Sequence, residues 1–86
     1  MQGGRHLITS LKREILHRDY YDLRKFSPGS FDTIIDIGAN IGMFSLYARF
    51  LQPLARIIAI EPHPAIFKIL QDNTRRMDIE TINFLH

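Results

Sequence analysis

The heptapeptide Asp36-Ile37-Gly38-Ala39-Asn40-Ile41-Gly42 constrains the fold of this 86-residue chain more than any other feature. It joins a β-branched run, Thr33-Ile34-Ile35-Asp36-Ile37, to a stretch at 41–51 that is apolar nearly all round. A run of that kind suits a strand buried on both faces, and the glycines supply the turn between strand and helix. The apolar stretch reads as a helix enclosed between a sheet and another layer, ended by Pro53. The pattern then repeats. Arg56-Ile57-Ile58-Ala59-Ile60 is a second strand closed by Glu61-Pro62, and Pro64 opens a second helix where its missing N–H is harmless. Ile66, Phe67, Ile69, Leu70 and Met77 give that helix its apolar stripe, and Thr81-Ile82-Asn83-Phe84-Leu85 forms a third strand. Strands alternating with helices pair in parallel through right-handed crossovers, so the order β-α-β-α-β predicts an α/β, doubly wound sheet.

Upstream, Leu7, Ile8, Leu11, Ile15 and Leu16 recur at three- and four-residue spacing, which predicts an amphipathic helix over 7–23. Ser27-Pro28-Gly29-Ser30 then breaks the chain. This divides it into a helical lead-in and linker, 1–31, and a sheet domain, 32–86. The lead-in carries net charge +3 and the rest −1, but its basic residues alternate with acids and form no nucleic-acid-binding block. Zero cysteine excludes a disulfide-stapled scaffold and any thiolate metal site. The longest uncharged stretch, twelve residues at 37–48, falls short of the ~18 needed to span a membrane. Arg5, Lys12, Arg13 and Glu14 interrupt any signal-peptide core, so a cytoplasmic protein is expected. His6, His17 and His86 lack metal-ligand spacing, and no metal site is expected.

In doubly wound sheets ligands meet the carboxyl ends of the strands, which is where the glycine turn falls. Gly38 lets the chain turn and leaves no side chain between backbone and ligand, while Asn tolerates left-handed backbone at position 40. Gly42 lets the first helical turn approach a ligand or the sheet, and the N–H groups there favour an anionic group. The dinucleotide fingerprint G-x-G-x-x-G requires glycine at 38, 40 and 43, but residues 40 and 43 are Asn and Met. What fits is D-x-G-x-N-x-G, with Asp36 two residues before the first glycine. Glu61 follows at the end of the second strand, nineteen residues beyond Gly42. An acid there can accept hydrogen bonds from the ribose hydroxyls of an adenosine. Taken singly, Asp36 also fits a local backbone partner, the glycines plain turns and Glu61 an exposed strand end. Their coincidence favours an adenosine-containing ligand.

Residues 34–47, with the heptapeptide at their centre, followed by Ile57-Ile58-Ala59-Ile60-Glu61-Pro62, resemble the FkbM-type family of S-adenosylmethionine-dependent methyltransferases. Asn73 resembles the asparagine near the end of the second helix in many of these enzymes, and Arg18-Asp19-Tyr20-Tyr21 the charged, aromatic lead-in of one branch. The resemblance covers 18–85 and implies the N-terminal half of a Rossmann-like class I methyltransferase sheet, here preceded by a helix. It also implies S-adenosyl-L-methionine as cofactor and a hydroxyl of a sugar, lipid or other small molecule as acceptor. Asp36 would lie near the amino group of the cofactor's methionine part, which Gly38, Ala39 and Asn40 would line, with Gly42 closing the loop. Glu61 would hold the ribose hydroxyls, and Pro62 and His63 would flank the adenosine. The cofactor is cationic at sulfonium and ammonium, so carboxylates at the strand ends suit it.

The resemblance assigns the acceptor site, the base and most adenine contacts to strand four onward, so no catalytic residue is named. His63 is read as flanking the loop, and Tyr20 and Tyr21 as packing against the sheet. Two other readings stay open: an NAD-dependent Rossmann oxidoreductase fragment, disfavoured by Asn40 and Met43, and a non-catalytic α/β binding module. From Asp36 to Glu61 one strand-helix unit takes 25 residues, and a seven-strand methyltransferase sheet needs on the order of 175. The expectation is half of a larger domain, inactive alone, with an open apolar edge on its first strand that favours association.

Overall fold

Residues 7–10, 17–18 and 23–83 are described by a computed structural model. Strands β1 (Leu7–Ser10) and β2 (His17–Arg18) and a single 3₁₀ turn (Leu23–Lys25) precede β3 (Thr33–Ile37). There follow α1 (Met43–Leu51), β4 (Arg56–Ile60), α2 (Pro64–Thr74) and β5 (Ile79–Ile82). The sheet order is β2-β1-β3-β4-β5. β3 and β4 run parallel with Ile34 opposite Ile57 and Ile37 opposite Ile60, and β4 and β5 run parallel with Ile57 opposite Ile79. Three parallel strands joined by two crossover helices make the chain an α/β protein of Rossmann-like design.

Both crossovers step the same way along the sheet, so right-handedness puts α1 and α2 on one face. Side chains alternate along a strand, and the burial follows. Ile34, Ile57 and Ala48 share one core with Leu23, Phe31 and Ala55. Ala59 joins Ala39 and Leu70 in a second. The opposite parity is less covered: Ile35, Ile58 and Ile60 are half-buried, and Ile37 and Ile82 are exposed.

The lead-in differs from expectation. Where spacing predicts a helix over 7–23, Leu7–Ser10 is a strand antiparallel to β3, with Leu7 opposite Ile37 and Ser10 opposite Ile34, and His17–Arg18 pairs with it. The rest of that expected helix, 11–16 and 19–22, lies outside the described residues. Backbone hydrogen bonding explains the difference. β3 has an unpaired row of N–H and C=O groups on its outer side, and a short β-capable segment satisfies them. The open edge expected on this strand is therefore covered by β1.

Smaller differences follow the same logic of contact over pattern. α1 is not enclosed on all sides, since Met43 is 66% and Phe50 80% exposed among the described residues. β5 starts at Ile79, earlier than expected, because Asp78 turns the chain at φ +55 and Ile79 packs on the core. Met77 accordingly lies beyond the end of α2.

Two polar side chains fasten the far end of α1. Gln52, wholly buried, donates to Ser27 O at 2.9 Å and Phe26 O at 3.4 Å, and accepts from the Gly29 N–H at 3.2 Å. Arg49 donates to the carbonyls of Gln52, Pro53 and Ala55 after its own helix, and of Met77 and Asp78 before β5. No helix of the described residues is long and apolar enough to cross a membrane.

Candidate functional site

Three of the five residues at 38–42 have left-handed backbone: Gly38 at φ +75, Asn40 at φ +58 and Gly42 at φ +98. The turn is tied to the end of β4. The N–H groups of Gly38 and Ala39 both donate to Ile60 O at 2.9 Å, and the Gly42 N–H donates to Ala39 O at 3.0 Å. The Asn40 N–H donates to Glu61 Oε1 at 2.7 Å. The other carboxylate oxygen, Oε2, accepts the His63 N–H at 3.1 Å. Glu61 itself is 8% exposed, and its N–H donates to Ile82 O, which fixes it between β4 and β5.

Asp36 lies one layer deeper. It is fully buried, and its Oδ2 accepts the Ser45 hydroxyl at 2.8 Å. Ser45 belongs to the first turn of α1 and is not among the residues that the motif marks. Its signal was there: a polar residue among apolar ones, on a helix that starts just after the turn. A buried carboxylate needs such donors.

Gly42 faces the second helix. A Cβ at this position would stand 2.9 Å from Leu70 Cδ1 and 3.1 Å from Thr74 Cγ2. α2 braces the turn a second time through Asn73, whose Nδ2 donates to Ile41 O at 2.8 Å. At the other end of α2, His63 is the exposed N-cap, its Nδ1 accepting the Ile66 N–H at 3.4 Å with Pro64 at the first helical position. The Pro62 carbonyl accepts from Asn83 Nδ2 at 3.3 Å. The other atom of that amide, Asn83 Oδ1, is buried and has no hydrogen-bond partner among the described residues. The sequence pattern puts Asn83 inside a strand, whereas it lies just past the end of β5.

Of the residues that the sequence marks, Gly38, Ala39, Asn40, Glu61, Pro62 and His63 come together at the carboxyl ends of β3 and β4. Asp36 supports them from beneath, and Gly42 sets the approach of α2. Tyr20, Tyr21, His6 and His86 lie outside the described residues. Among the described residues no group of three His, Asp or Glu side chains could hold a metal ion.

A carboxylate has about four acceptor sites, and backbone donors occupy two of those on Glu61. The other two have no donor among the described residues. The turn beside it presents backbone and small side chains.

Turn, carboxylate and parallel sheet together define a Rossmann-like α/β unit. The chain is 41% identical over 66 residues to Methyltransferase 1 of Beauveria bassiana, covering 77% of this chain and 26% of that protein. It is 41% identical over 61 residues to Methyltransferase sdnD of Sordaria araneosa, covering 71% and 23%. It is 44% identical over 76 residues to the 31-O-demethyl-FK506 methyltransferase FkbM of Streptomyces tacrolimicus, covering 80% and 28%. No family model and no solved structure matches the chain. The resemblance read from the sequence is borne out: over most of its length the chain is similar to FkbM-type methyltransferases. The chain spans about a quarter of the length of these curated relatives.

Proposed function

We propose that this chain binds S-adenosyl-L-methionine for methyl transfer to a hydroxyl of a sugar, lipid or other small molecule. The observation that carries the reading is the Glu61 carboxylate, nearly buried at the end of β4, with two acceptor sites left beside a left-handed turn. Two vicinal ribose hydroxyls match two free acceptor sites. Gly38, Ala39 and Asn40 suit the methionine part, with Asp36, held by Ser45, beneath them. Pro62 and His63 flank the adenosine. The Asn83 Oδ1 beside Pro62, without a partner among the described residues, is compatible with a ligand that brings a hydrogen-bond donor to that end. When bound, the cofactor supplies a methyl group on a sulfonium, open to direct displacement by an oxygen nucleophile.

A pyrophosphate is less well served, because Asn40 has a side chain where a dinucleotide-binding turn has glycine. An oxygen acceptor agrees with the name of the Streptomyces relative, a 31-O-demethyl-FK506 methyltransferase.

Calorimetric titration with S-adenosylhomocysteine, with NADH as the competing ligand, tests the reading. The nucleoside of methyl transfer should bind and NADH should not. Glu61→Ala should weaken that binding by about 1–3 kcal/mol through the lost ribose bonds. Unchanged affinity in the variant, or preference for NADH, refutes it.

A further inference from the structure

The Glu61 carboxylate is gripped by backbone from two different loops. One oxygen accepts from Asn40 in the turn after β3, the other from His63 at the start of α2. Each donor belongs to a residue that needs help. Asn40 stands at φ +58, left-handed backbone that Asn tolerates better than other residues with a Cβ but less freely than glycine. His63 caps α2, and its own N–H precedes the helix, where no intrahelical acceptor exists. A hydrogen bond from backbone N–H to a carboxylate is short and stronger than a neutral one. At 8% exposure, Glu61 is also sheltered from competing water.

We propose that Glu61 is a positioning residue as well as a ribose ligand: its carboxylate fixes the Asn40 turn and the His63 cap in the geometry that receives an adenosyl ligand. The ribose hydroxyls then take the acceptor sites left over. The inference rests on the adenosyl reading of the site for its ligand and on the two hydrogen bonds for its mechanism. It has a consequence that a purely ribose-binding carboxylate does not share. Loss of the carboxylate must weaken even ligands that have no ribose hydroxyls, because the turn that lines the methionine part loses its anchor.

The test combines a protein variant with a ligand variant. In the full chain, affinities are measured for S-adenosylhomocysteine and for its 2′,3′-dideoxy analogue, each with wild type and Glu61→Gln. A Gln side chain offers one acceptor oxygen and sets an NH₂ against the second backbone donor. Binding of the dideoxy analogue is expected to fall about tenfold or more in the variant. A loss confined to the hydroxyl-bearing ligand overturns the proposal.

Amide hydrogen exchange gives a readout independent of any ligand. The Asn40 and His63 amides should be protected in wild type, and Glu61→Gln should speed exchange at one or both. The Gly38 and Ala39 amides, bonded to Ile60 O, should change little. Equal exchange in both proteins overturns the proposal. Should the variant not fold, through-hydrogen-bond couplings from the Asn40 and His63 nitrogens to the Glu61 carboxyl carbon decide in the unaltered protein. Their presence supports the clasp, and their absence refutes it. If neither adenosyl ligand binds wild type, the adenosyl reading fails, and exchange and couplings still decide the clasp.

Discussion

The Ser45 hydroxyl donates to the Asp36 carboxylate at 2.8 Å, with both side chains fully buried. The bond joins the end of β3 to the first turn of α1, underneath the turn that connects them. Ser45→Ala removes a donor from a buried carboxylate at almost no change in volume. The expected cost is about 1.5–3 kcal/mol, the range for hydrogen bonds to charged groups. Urea denaturation of the two proteins checks it, and a difference within error would mean that the remaining surroundings of Asp36 suffice.

Gly42 and Gly29 separate the cost of backbone from that of space. Both have left-handed backbone, φ +98 and +88, but a Cβ at 42 meets Leu70 and Thr74 while one at 29 meets nothing within 4 Å. Gly29→Ala should cost about 1–2 kcal/mol, the conformational penalty alone. Gly42→Ala adds crowding in a packed core and should cost about 2–4 kcal/mol. Denaturation midpoints that coincide would remove the packing argument.

Arg49 addresses five carbonyls in two separate segments. Lysine keeps the charge but replaces a planar fork with a single ammonium that cannot reach both segments at once. Arg49→Lys should destabilise the protein by about 1–3 kcal/mol. Hydrogen exchange should rise first at 75–79, which the guanidinium ties to α1.

The Arg56–Glu80 pair predicts a pH dependence. Arg56 Nε and Nη2 reach the two Glu80 oxygens at 2.6 and 3.0 Å across β4 and β5. The hydrogen bond from Arg56 lowers the Glu80 pKa from its ordinary 4.5. A carboxyl whose pKa is depressed by folding stabilises the protein above its unfolded value and loses that contribution as pH falls through its folded value. The stability gap between wild type and Glu80→Gln should therefore exist at neutral pH and close below about 4.5. The pair is exposed, so added salt should narrow the gap at neutral pH.

Asn73 lies at the surface yet holds Ile41 O. Asn73→Ala should leave global stability within about 1 kcal/mol, since one exposed hydrogen bond is lost. Under the proposed function it should still weaken S-adenosylhomocysteine, because the ligand-lining turn loses its brace from α2. Equal binding by calorimetry would assign Asn73 to surface packing alone.

The parts of the fold that were legible in the sequence are those specified locally. β3 and β4 follow from β-branched runs bounded by Gly and Pro, and α2 begins at Pro64 as its N-terminal signal requires. The turn at 38–42 was legible because left-handed backbone has few tolerant residues, and Gly, Asn and Gly occupy the three positions that adopt it. Leu7–Ser10 was not legible. Its leucine and isoleucine spacing fits a helix, and the demand that makes it a strand comes from β3, more than twenty residues away. Asn83, Gln52 and Arg49 were hidden for the same reason. Each is an ordinary polar residue whose partners lie in other segments, so spacing along the chain carries no trace of the contact.

A strand edge holds one neighbour at a time. While Leu7–Ser10 lies along β3, that row of donors and acceptors is spoken for, and no further strand can pair with β3 there by simple addition. Pairing with β3 itself is therefore an exchange reaction: the incoming strand must displace a resident of only four residues. The outer row of β5, by contrast, has no strand partner among the described residues, so the two flanks of the parallel core ask different things of an incoming strand.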